Sequence, residues 1–160
     1  EPDDTANNRN LGASARKWNT VYASVFDGTA TSAQYADLAE NYLADASYEE
    51  GTVLVFGGDE EVTVTNTKGN TRVAGVVSTN PAHLMNSNLE GEHVSAIALQ
   101  GRVPCKVLGP VAKGDMLVTS AIPGYAIVNN SPGVGQVIGK AVGAKDDDGK
   151  GTVEVVVGRV

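Results

Sequence analysis

From residue 51 onward, short apolar runs alternate with turn-forming residues. "TVLVF" (52–56) is a continuous apolar run of strand length. After "GGDEE", the segment "VTVTN" (62–66) alternates Val with Thr, as a half-buried strand does. "TKGNT" turns the chain into "RVAGVVS" (72–78). "HVSAIALQGRVPCKVLG" (93–109) reads as one long strand or two joined ones, with Gly101 and Pro104 marking a bend or an edge. "MLVTS" (116–120), "YAIVN" (125–129), "GQVIGKAVG" (135–143) and "TVEVVVGRV" (152–160) follow, the last two joined by the charged hairpin loop "AKDDDGKG" (144–151). About eight short strands at this spacing predict a mainly β fold, a compact β-barrel or β-clip-like domain. The polar stretch "TNPAHLMNSNLEGE" (79–92) interrupts them as a long loop with room for one helical turn.

The N-terminal part has a different pattern. Residues 1–34 carry widely spaced large apolar side chains, Leu11, Trp18, Val21, Tyr22, Val25 and Phe26, among small and polar ones. The Thr and Ser content leaves no helical face of useful width. This predicts an extended arm with short strands and turns. So sparse an arm cannot bury Trp18, Tyr22 and Phe26 by itself, so these are expected to be oligomer contacts covered by another surface. Between arm and domain, Tyr35, Leu38, Ala39 and Tyr42 fall at helical spacing, and Ser32 could cap a helix start. The segment is short for a helix, and an extended entry strand is the alternative. The expected division is therefore an arm over 1–34 and a β-rich domain over 35–160.

Composition narrows the function classes. The 160 residues suffice for one compact domain plus the arm. A net charge of −7 repels phosphate backbones and argues against nucleic acid as a partner. No apolar run approaches the roughly 18 residues of a membrane-spanning helix, so membrane insertion is not expected. The single cysteine, Cys105, excludes a disulfide within the chain and reads as a small buried hydrophobe on a strand. The start "EPDD", without Met or a signal peptide, reads as a piece of a longer protein.

Few motifs carry chemistry. In "YADLAENY" (35–42), Asp37 and Glu40 are three residues apart. On a helix they would share a face and could work as a carboxylate pair; on a strand they face opposite sides and cannot. "KDDDG" (145–149) lacks the alternating oxygens and distal Glu of a calcium loop. His83, His93 and Cys105 fit no zinc spacing, although a symmetric trimer could gather three copies of one His on its axis. "PGVGQVIGKAVG" (132–143) places its third Gly one residue late for a dinucleotide loop and leads into a strand. No cofactor and no metal are expected. "VVSTNPAHLMNS" (76–87) is the most unusual loop, and Asn80, Pro81, His83 and Asn86 are its candidate binding residues.

As a set, these stretches resemble a known class. "NLGASARKWNTVYASVFDGTA" resembles the segment that often precedes C-terminal domains of bacteriophage tail fibres and tail spikes. "YADLAENY", "VAGVVSTNPAHLMNS" and "LQGRVPCKVLGPVAKGDMLVTS" resemble the autoproteolytic intramolecular-chaperone domain of phage tail appendages. The resemblance implies a homotrimeric structural virion protein whose C-terminal domain registers three chains so that the fibre shaft can wind. It also implies, in some members, self-cleavage beside the acidic motif. Here that would be at Ala36–Asp37, with Asp37 and Glu40 as catalytic carboxylates. Leu38 stands where the class has an aromatic residue, and the expectation is therefore an uncleaved trimerisation and capping domain. The expected partners are two further copies, the rest of the shaft and a host-surface receptor at the tip.

Overall fold

The computed structural model describes residues 37–158, together with Ala13, Ala15, Arg16 and Trp18. The chain divides into two compact units, Glu1–Thr31 and Ser32–Val160. In the first, Ala13 and Arg16 exchange backbone hydrogen bonds at 3.2 and 2.9 Å, and the Trp18 side chain is 64% exposed. The sequence expectations on Tyr22 and Phe26 lie outside the described residues.

The described part of the second unit is built from strands and contains no helix. In chain order these are β1 (Asp37–Leu43), β2 (Val53–Phe56), β3 (Val62–Thr63), β4 (Val73–Val77) and β5 (His83–Met85). They are followed by β6 (Val94–Leu108), β7 (Met116–Thr119), β8 (Ala126–Val128), β9 (Val137–Ala141) and β10 (Lys150–Val157). The ambiguous entry segment is a strand, β1. The loop 79–92 holds no helical turn but the short strand β5.

A closed five-stranded barrel organises the domain. β6 pairs with β10, β10 with β9, β9 with β7, β7 with β8, and β8 returns to β6. Its interior follows strict alternation. In β10, Val153, Val155 and Val157 point inward while Thr152, Glu154 and Val156 face out. They meet Val103, Cys105, Val107, Leu117 and Ile138 in one apolar cluster.

β6 is the common strand. Its 15 residues are too many for the barrel wall, and its N-terminal half carries the extra strands. There it pairs with β1 and β4, β4 pairs with β2, and β2 with β3. Ala44, just after β1, bridges Val62 of β3, so this second set of strands also curls back to its start. It encloses a separate small core of Ala44, Leu54, Val62, Ala74, Val77 and Ile97. Gly101 marks the handover: it registers with Val157 of β10 and with Asp37 of β1.

Candidate functional site

The start of β1 is where the singled-out residues converge. β1 lies between β5, to which it is parallel, and β6, to which it is antiparallel. Leu38 registers with His83 and Ala39 with Leu84, and the Ala82 N–H donates to the Asp37 carbonyl at 2.8 Å. The acidic motif and the 79–86 loop, some forty residues apart in sequence, are thus brought side by side. One extra residue on β6, Leu99, interrupts the β1–β6 ladder between Leu38 and Ala39.

Strand geometry separates the two carboxylates. Side chains alternate along β1, so Asp37 and Ala39 face one side and Glu40 the other. Asp37 is buried, at 5% exposure, and its Oδ2 has no hydrogen-bond partner. Glu40 is half-buried and accepts from the Tyr42 hydroxyl at 2.8 Å, a contact between residues two apart on the same face. Within one chain the two carboxylates therefore do not form a dyad. A buried carboxylate oxygen without a donor is costly, by about 1–3 kcal/mol or more. That marks Asp37 as a place where structure alone does not account for the residue.

The loop residues are arranged differently. Asn80 and His83 are exposed and Pro81 is half-buried. Asn86 adopts a left-handed backbone with φ of 53°, which its short polar side chain tolerates, and its Nδ2 donates to the Asn41 carbonyl at 3.2 Å. Asn86 thus fastens the end of β5 to β1. The structure brings Pro81, His83 and Asn86 to one edge of β1, and it accounts for Asn86 as a turn residue.

Two surface features escaped the sequence reading. One is an acidic cleft of about 310 Å³ beyond the end of β1, lined by Asp45, Asp59, Glu60, Glu90, Glu92 and His93. Burial pushes the Asp45 carboxyl up, but hydrogen bonds with Thr63 and Tyr48 and the nearby His93 hold it below the usual carboxylate range. The Tyr48 hydroxyl donates to Asp45 Oδ1 at 2.5 Å; burial and this hydrogen bond raise the phenol above its ordinary value. The signal in sequence was the run from 37 to 61, which contains acids but no Lys or Arg. The other feature is an apolar groove of about 410 Å³ between the β2–β4 ends and the loop before β9. No sequence pattern announces it, because its walls come from three separate segments.

Among the described residues no group of three or more His, Cys, Asp or Glu is arranged to hold a metal ion. Cys105 is fully buried, and burial pushes its thiol up to about 12, so it is an inert core residue. No protein-family model matches the chain, and no curated protein matches it.

Proposed function

We propose that this chain is a structural virion protein: the C-terminal trimerisation and capping domain of a phage tail fibre or related appendage, acting as a chaperone for its own shaft. The observation that carries the reading is the seating of β1. The domain's first described strand is gripped on both sides, by β5 and β6, and its first residue meets the strand-sharing Gly101. A segment arriving through residue 37 is therefore anchored along a strand, which is what setting chain register requires. The sparse arm adds to this, because Trp18 is an exposed large aromatic and homo-oligomer symmetry supplies covering surfaces in equal number. The resemblance of the arm, acidic and loop motifs to phage appendage domains points the same way. Light scattering on the full chain tests the proposal. A stable trimer at micromolar concentration is expected, and a monomer overturns it.

One observation favours a second reading, self-cleavage at Ala36–Asp37. It is the buried Asp37 oxygen that lacks a donor. Because Glu40 of the same strand faces away, the second carboxylate would come from another copy. Intact mass after long incubation distinguishes the two readings. A fragment beginning at Asp37, abolished in Glu40→Gln, supports cleavage; an unchanged mass in wild type removes it.

A further inference from the structure

We propose that Asp148–Gly149 is a self-modification site: an aspartate set up for succinimide and isoaspartate formation, which the turn around Lys145 holds shut. The inference does not depend on the oligomeric state.

The chemistry needs only this chain and water. The Gly149 nitrogen attacks the Asp148 side-chain carbon Cγ and gives up its proton, and a carboxyl oxygen leaves as one water. This closes a five-membered succinimide. Water then opens the ring at either carbonyl, which returns aspartate or leaves isoaspartate, with the main chain running through Cγ. The sum is an isomerisation, with one water lost and one regained and nothing oxidised or reduced. Glycine is the most permissive residue to follow the aspartate, because it has no Cβ to block the approach or restrict the backbone. Asp-Gly occurs twice in the sequence, at 27–28 and 148–149, and the first lies outside the described residues. Asp148 is exposed, in the turn that leads into β10.

The turn opposes the reaction at the atoms that must move. The Gly149 N–H donates to Asp147 Oδ1 at 2.8 Å, so the attacking nitrogen is engaged with the neighbouring carboxylate. The Gly149 carbonyl accepts from Lys145 Nζ at 2.7 Å and from the Gly109 N–H at 3.1 Å, which fixes the far side of the glycine. Lys145 also donates to Asp147 Oδ1 at 2.8 Å, so one ammonium holds both the carbonyl and the acceptor of the N–H. Its own backbone is tied to Val111 in both directions at 2.8 Å. Turning the Gly149 nitrogen toward Cγ therefore breaks several bonds together, and the reaction runs through the open turn. The product strains the closed turn, because isoaspartate adds a carbon to the main chain just before Lys150 pairs with Leu108.

Peptide mapping of the full chain, after weeks at neutral pH and physiological temperature, tests this by separating isoaspartate from aspartate at equal mass. Folded wild type is expected to isomerise at residue 148 at least about tenfold more slowly than the same chain held in guanidinium chloride, since the rate follows the open population. Lys145→Met and Asp147→Ala are each expected to speed the folded chain by at least about fivefold. Asp147 is mostly exposed, so its variant keeps the test decisive if loss of Lys145 unfolds the domain. Leu54→Ala weakens the small core and leaves the turn intact, and is expected to stay near the wild-type rate. Asp148→Glu is expected to remove the signal, because its six-membered ring closes far more slowly. Folded wild type that matches the unfolded chain overturns the inference, as does an Asp147→Ala rate equal to wild type. Equal acceleration by Leu54→Ala and Asp147→Ala also overturns it, because general loss of stability then accounts for the effect. A signal that survives Asp148→Glu overturns it too.

Discussion

Lys145 shows how single residues hold this domain's turns. Its ammonium donates to the carbonyls of Gly109 at 3.3 Å, Asp147 at 2.5 Å and Gly149 at 2.7 Å, and to Asp147 Oδ1 at 2.8 Å. The side chain is nearly buried and its ammonium makes four hydrogen bonds, so replacing it removes all four at once. Lys145→Met is expected to cost about 2 kcal/mol, read as a shift in the urea midpoint at unchanged slope. Asp147 is held below the ordinary carboxylate range, first by the hydrogen bond from Lys145 and then by the Gly149 N–H. Its folded value lies below its unfolded one, so its contribution is present above about pH 4 and is lost as pH falls through the folded value. Asp147→Asn is therefore expected to flatten the decline of the melting temperature below about pH 4, and an unchanged acid slope would show that other carboxylates carry it. The "KDDDG" stretch was legible in sequence as a charged turn. That Lys145 forms its centre was not, because the acceptors at Gly109 come from a distant loop.

At the scale of elements, the close contact of β9 with β10 depends on Gly139. A Cβ there would run into the carbonyl oxygen of Val156 on the neighbouring strand. Gly139→Ala is expected to destabilise by about 2–3 kcal/mol, measured by chemical denaturation, because neither strand of a closed barrel can move aside freely. Glycine in "GQVIGKAVG" was visible in sequence only as Gly spacing leading into a strand; the close approach at Gly139 was not read from it. The partner was invisible, since it lies in a strand reached only through the hairpin. The entry segment taught the opposite lesson. Its apolar spacing suited a helix, yet β6 pairs along its full length and β5 along Leu38–Glu40, and those ladders outweigh a short helical pattern. Likewise the loop 79–92 gained strand β5 only because β1 offered an edge to pair with.

At the scale of the whole molecule, the two cores of the β domain share one strand, β6. The barrel core contains Cys105 and the smaller core contains Leu54, both fully buried. Leu54→Ala is expected to cost about 3 kcal/mol through the cavity it leaves. If β6 couples the cores, the same variant speeds labelling of Cys105 by a thiol reagent under native conditions by a factor of about 100. Accelerated unfolding of the small core without faster labelling would show instead that the two cores open independently. The same coupling bears on the trimer proposal. β1 is part of the small core's wall through Ala44, so tension on an arriving segment is carried through β6 into the barrel.

The sequence by itself determined the mainly β class and the positions of most strands, because a period of two in Val-rich runs bounded by Gly turns leaves little else for the chain to do. It also determined the net acidic charge and excluded a disulfide within the chain. Only the tertiary structure decided that β6 is one strand serving two cores, that the entry segment is β1, and that Asp37 and Glu40 part to opposite faces. Those outcomes depend on which backbone edges find each other across long separations, and local pattern carries no record of that pairing. The apolar groove belongs to the same class: its walls come from three segments that meet only when the domain folds.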